Sequence, residues 1–188
     1  MLEQRRNQLK AVLSDPDQNV RQAAATALER LETMAELEQL LEAVRGANRG
    51  VRVQAIYSLE RIHSEQIYPV LLEALEDQDA DIRAAAVQVL GSKKHRNSLG
   101  SLVKHLKDPS PAVQVHVADA LGQFADPRLV PYLGAVLKSK DDALVCSAAR
   151  AIGTIGVVTG EPLLLPLLKD SRSRVREAAV EALGLLGI

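Results

Sequence analysis

The 188 residues carry 23 Lys and Arg against 24 Asp and Glu, a formal net charge of −1, and 47% of them are hydrophobic. That balance gives no overall attraction to nucleic acid or to an anionic membrane, and the single Cys146 excludes an internal disulfide and a multi-cysteine zinc site. No signal-peptide pattern and no apolar run long enough to span a bilayer occurs, so a cytoplasmic protein is expected.

The chain opens with MLEQRRNQLK, a helix whose exposed side carries Glu3, Gln4, Arg5, Arg6, Asn7, Gln8 and Lys10. DPDQNVRQAAATAL (15–28) follows, with Asp17 as a helix N-cap and apolar residues at Val20, Ala24, Ala27, Leu28 and Leu31, a helical stripe. The same phrase returns as DSRSRVREAAVEAL (170–183), identical at seven of fourteen positions. Steps of 31 residues connect the two. From Val20 they reach Val51, Ile82, Val113, Leu144 and Val175; from Leu28 they reach Leu59, Leu90, Leu121, Ile152 and Leu183. The register predicts one domain over 1–188, built of six units near 1–31, 32–62, 63–93, 94–124, 125–155 and 156–188.

Each unit reads as two helices. The first has an apolar stripe such as IYPVLLEAL (67–75), with Pro69, Pro131 and Pro162 in one column of its first turn. The second starts at Asp17, Asn48, Asp79, Ser110 or Asp141; only Arg172 departs from the capping types. Gly91, Gly122, Gly153 and Gly184 fall near the ends of these second helices, where glycine commonly terminates. Neither helix can bury its stripe alone, so stacking of about twelve helices in six pairs, with no sheet, is predicted. Pro166 lies inside the first helix of unit six and should kink it or delay its start. Lys93 stands where the other units have Leu31, Ile62, Phe124, Ile155 and Leu186. The final VEALGLLGI leaves Val180, Leu183, Leu186 and Ile188 without a polar cap, so this end is expected to be covered by a second copy, by the partner, or by further repeats of a longer parent chain.

The phrase D-x-D-x-x-V-R-x-A-A-x-x-A-L at 15–28, with its companion helix rich in Leu and Pro, resembles HEAT-like repeats of the phycobilisome-lyase type across essentially the whole chain. The resemblance implies an all-α fold, an α-solenoid (superhelix) of six HEAT-like hairpins, with the second helix of each pair lining the concave face. It also suggests, by analogy, an accessory subunit of a bilin lyase acting on phycobiliproteins.

No catalytic motif accompanies this pattern. His63, His95, His105 and His116 belong to no HExxH and form no His-Glu pair, and a Walker loop, nucleophile elbow and GxGxxG are absent. Asp141-Asp142 reads as a cap and dipole partner, His116 and Asp119 as a surface pair, and Cys146 as a packing residue. Lys93-Lys94-His95-Arg96 reads as a solvated turn with the Lys93 stem over the core. Arg21, Arg52, Arg83 and Arg176 recur with Asp15, Asp77, Asp108 and Asp170, as in a structural ladder between units. The chain is accordingly expected to be no enzyme and to hold no cofactor or metal.

Counting from Val20 and its equivalents as position 0, positions 0, 4, 7, 8 and 11 point inward and positions 2, 6 and 10 outward. Position 2 reads Gln22, Val53, Ala84, Val115, Cys146, Glu177. Position 6 reads Thr26, Tyr57, Gln88, Asp119, Arg150, Glu181. Position 10 begins Arg30, Arg61, Ser92, Gln123. An apolar strip with a polar border suits a peptide or helix partner, although small residues at position 2 would also let helices crowd. The candidate partner-binding residues are Gln22, Thr26, Val53, Tyr57, Arg61, Ala84, Gln88, Val115, Asp119, Gln123 and Arg150. The expected function is a non-enzymatic protein–protein interaction scaffold. The alternatives are the bilin-lyase accessory and a nucleic-acid-binding module, the latter disfavoured by near-neutral charge and an aromatic content of 2%.

Overall fold

The computed structural model describes residues 2–187. Among them are eleven α-helices and no strand: α1 (Leu2–Val12), α2 (Gln18–Val44), α3 (Arg49–Ser58), α4 (Ile67–Leu75), α5 (Ala80–Ser92), α6 (Leu99–Lys104), α7 (Pro111–Gln123), α8 (Val130–Val136), α9 (Asp142–Ile155), α10 (Glu161–Leu164) and α11 (Ser173–Gly184). The second helices of units two to six, α3, α5, α7, α9 and α11, pack side by side in a row. The shorter α4, α6, α8 and α10 each lie against their own partner in that row.

The count is eleven rather than twelve because α2 runs unbroken for 27 residues. It joins the second helix of unit one to the first helix of unit two. The sequence explains the fusion. Where Pro69, Pro131 and Pro162 stand, unit two has Glu38. The intervening ERLETMAELEQLLEAV is composed almost wholly of strong helix formers, so nothing stops the helix. The fusion has a packing consequence. Position 0 is buried in units three to six (Ile82, Val113, Leu144, Val175), but Val20 and Val51 are 39% and 53% exposed. The inward register therefore holds for the last four units and fails at this position in the first two.

The second helices start where their capping residues indicate. The Asp17 carboxylate accepts from the Asn19 and Val20 N–H groups, Asn48 from Val51, Asp79 from Asp81 and Asp141 from Leu144. Ser110 and Arg172 occupy the same position without a side-chain bond. Pro166 does not delay the helix, which starts at Glu161; α10 ends at Leu164 and a 3-10 turn carries the chain on through Leu165–Lys169. Proline lacks the N–H that a continuing α-helix would need, while Leu165 before it keeps helical backbone (φ −51°, ψ −43°).

The glycine column has a different role from termination. Gly91, Gly122 and Gly153 are helical and buried, and a Cβ on each would lie 2.6–3.0 Å from an atom of Ala120, Ala151 or Ala182 in the next helix of the row. They are the contact points at which successive helices approach closely. Helix ends are made three residues later, where Lys94, Ala125, Gly156 and Gly187 share the left-handed conformation (φ 50°, 50°, 76° and 77°). Gly184 continues the contact column, yet a Cβ there meets nothing within 4 Å. Beside it Val180 and Leu185 are 60% and 48% exposed, while Leu183 and Leu186 are half-buried. Ile188 lies outside the described residues.

One contiguous core runs from Leu37 to Ala182. Leu90, Leu121 and Ile152 are fully buried at equivalent positions, each contributing about 1.5–3 kcal/mol. Because α5, α7 and α9 have a helix on three sides, they bury far more than one stripe: every residue from Ile82 to Val87 and from Leu144 to Ala149 is buried.

Candidate functional site

Three-sided burial revises the outward face. Ala84 and Cys146 are buried, Val53 and Val115 half-buried, and only the terminal Gln22 and Glu177 are exposed at position 2. Here the small side chains let neighbouring helices crowd, so position 2 forms no open apolar strip. The row shows solvent its positions 6 and 10 instead.

Those positions converge in the middle of the row. Tyr57 and Glu60 from the α3 segment, Gln88 and Ser92 from α5, and His116, Asp119 and Gln123 from α7 line one groove of about 420 Å3. Arg61 flanks it, bordering a shallower recess with Gln54, Tyr57, Ser58 and Glu60. The groove draws on three successive units. Four of the expected residues meet here: Tyr57, Gln88, Asp119 and Gln123. Arg150 lines a separate depression with Asp142, Ser147, Arg174 and Glu177. Gln22 and Thr26 lie on the fused helix, away from both, and the Thr26 hydroxyl donates to the Gln22 carbonyl.

Glu60, Ser92 and His116 were not among the expected contacts. Glu60 sits in the glycine contact column, where units three to five need close approach; a long acid at that place signals that the column is open between α3 and α5. The Ser92 hydroxyl donates to its carboxylate. The Asp119 carboxylate, by contrast, makes no hydrogen bond or ion pair among the described residues. The nearby cations are engaged: Arg61 pairs with Glu36 at 2.9 Å, and Arg150 with Glu181 at 3.3 Å. The groove's own charge is therefore negative, with the Tyr57 ring, 38% exposed, at one end.

Other candidate groups are absorbed by the framework. Lys93 donates to the Ile62 carbonyl at 2.8 Å, in the preceding unit. His95 stacks on Tyr68 with ring centroids 3.7 Å apart, so the basic cluster is dispersed. Arg52 pairs with Asp77, and Arg83 makes a two-pronged bond to Asp108 at 2.8 and 2.7 Å. Burial pushes the Asp108 carboxyl up, but the Arg83 bond, the Ser110 N–H and the Arg83 charge together hold it below the usual carboxylate range. The ladder between units is confined to these two rungs. Arg21 and Arg176 bind carbonyls of their own loops, Asp15 and Pro16 or Asp170 and Ser171. Burial pushes the Cys146 thiol up, away from reactive thiolate. No cluster of three His, Cys, Asp or Glu fit for a metal occurs among the described residues, and no described helix is long and apolar enough to cross a membrane.

A family model for HEAT repeats matches residues 6–90 and 68–149, and a second matches 162–187. The chain belongs to the HEAT-repeat family. No curated protein matches it. Among solved structures, the HEAT array is similar to the complex of CpcE and CpcF of phycocyanin lyase from Nostoc sp. PCC7120, at 24% identity and a TM-score of 0.70, over 80% of this chain and 64% of that one. It is also similar to a designed armadillo repeat protein in complex with the peptide (KR)4, at 20% identity and TM-score 0.62, over 99% of both chains, and to an engineered protein, at 21% identity and TM-score 0.61, over 96% and 95%. These likenesses establish an all-α solenoid for this HEAT array.

Proposed function

We propose that this HEAT array is a non-enzymatic interaction scaffold that binds a protein or peptide along its inner face, centred on the groove between α3, α5 and α7. The observation that carries this is the convergence of polar side chains from three units on one groove with the Tyr57 ring at its end. An amphipathic aromatic at the edge of a polar groove is the kind of anchor that dominates binding energy. Capture of partners from the source cells, repeated with Tyr57→Ala, tests it. Loss of the captured protein supports the groove; unchanged capture by Tyr57→Ala refutes it.

A second function is favoured by one observation, the fold similarity to the CpcE–CpcF lyase complex: an accessory subunit for bilin attachment to phycobiliproteins. A new visible absorbance band on mixing the chain with bilin and an apo-phycobiliprotein would support it; an unchanged bilin spectrum would exclude it. Nucleic acid is disfavoured as a partner, because the groove carries Glu60 and Asp119 and no unpaired Arg or Lys.

A further inference from the structure

We propose that the groove between α3, α5 and α7 accepts an arginine side chain from an extended basic segment of the partner. This rests on the inner face being the docking surface, and it adds the chemistry of what docks. Charge complementarity supports it. Two carboxylates, Glu60 and Asp119, line the groove, and that of Asp119 has no partner among the described residues. The cations that could have neutralised them are held elsewhere, Arg61 by Glu36 and Arg150 by Glu181. His116 is the one other titratable group of the lining besides Tyr57.

Geometry narrows the cation. The carboxylates come from different helices, α7 and the end of the α3 segment, on either side of α5. A guanidinium offers five donors in a planar fork, so it can hold a carboxylate with two parallel bonds, and its plane stacks on an aromatic face such as that of Tyr57. An ammonium meets a carboxylate only as a point charge. The hydroxyl of Ser92 and the amides of Gln88 and Gln123 supply both donors and acceptors along the same groove, which suits the backbone of an extended segment. The groove is open and runs across units, so a segment passing along it can present one side chain without folding into a pocket.

The test uses fluorescence anisotropy of a fluorescein-labelled (Lys-Arg)4 peptide, with (Lys)8 and (Glu-Gln)4 as comparators. The intact chain should bind (Lys-Arg)4 more tightly than (Lys)8 and should not bind the acidic peptide. Glu60→Gln and Asp119→Asn, which keep shape and remove charge, should each weaken binding by at least about fivefold. Glu161→Gln on α10, outside the groove, should leave it unchanged, and circular dichroism should show all three variants folded. Absence of binding overturns the proposal, as does equal affinity for (Lys)8, or a loss in Glu161→Gln as large as in the groove variants. Partner capture separates the two levels. If Tyr57→Ala loses the captured protein while Glu60→Gln and Asp119→Asn retain it, the docking face stands and the arginine assignment falls. If Tyr57→Ala also retains it, both fall.

Discussion

Alanine at Gly153 and alanine at Gly184 should move stability in opposite directions, although the two residues are one repeat apart in the same column. Both are helical, and replacing a helical glycine with alanine ordinarily stabilises by roughly 0.5–1 kcal/mol, because the unfolded chain loses freedom. At Gly184 the added Cβ meets nothing within 4 Å, so the gain survives, reduced to a few tenths of a kcal/mol by its place at the end of α11. At Gly153 the Cβ would lie 2.6 Å from the Ala182 Cα, 2.9 Å from its Cβ and 3.0 Å from its carbonyl oxygen. Two of these are backbone atoms, so no rotamer change relieves the overlap and α11 must move outward. Overpacking of this kind costs about 1–3 kcal/mol, which outweighs the intrinsic gain and leaves a net loss of about 1–2 kcal/mol. For a chain of this length that lowers the melting temperature by about 2–8 °C. Urea and thermal unfolding followed by far-ultraviolet circular dichroism measure both variants. A Gly153→Ala protein as stable as the parent would refute the close-approach account of the column.

Ala125→Gly should stabilise by about 0.5–1 kcal/mol, since Ala125 holds φ 50° where the next two units use glycine; an unchanged melting temperature would count against strain there. Asp108→Ala should cost about 3 kcal/mol, because it leaves the buried Arg83 guanidinium without its partner; urea unfolding reads this directly. Acid should destabilise the fold over a definite window. The Arg172 side chain and then its N–H hold the Asp170 carboxyl at about 2, and Arg128 does the same for Asp126. Both folded values lie below the unfolded one, so their contribution is complete above about pH 4 and is lost as pH falls toward 2; an Asp170→Asn variant should show a shallower loss over that range. If the open face beside Gly184 mediates association, the chain sediments above monomer mass and Val180→Lys returns it to monomer; a monomeric parent refutes this.

Much of the fold was readable because it rests on short-range rules repeated six times. Asp17, Asn48, Asp79 and Asp141 cap where their side-chain chemistry requires, and Pro166 stops α10 for reasons contained in one residue. What could not be read from one unit was relational. Whether Ala84 faces solvent depends on how closely two neighbouring helices approach, which the glycine–alanine contacts decide. The fusion of α2 was written in the sequence as Glu38 in the proline column together with an unbroken run of helix formers, but a register built on the apolar columns is blind to both. The candidate site divides similarly. Position 6 supplied Tyr57, Gln88 and Asp119, whereas Glu60 was hidden in a column whose meaning emerges only from the contacts made by Gly91, Gly122 and Gly153.

The unbroken α2 also sets the order in which the molecule comes apart. In a linear array each unit is held by its own helices and by its neighbours, and in units three to five neighbours stand on both sides. Before them stands a rod about 40 Å long, whose buried residues are only Ala24, Leu28, Leu37 and Val44 and whose first half is braced mainly by α1. Native-state hydrogen exchange should therefore show a gradient: amides of α1 and the first half of α2 exchange through a low-energy local opening, while those of α5, α7 and α9 exchange only when the whole block unfolds.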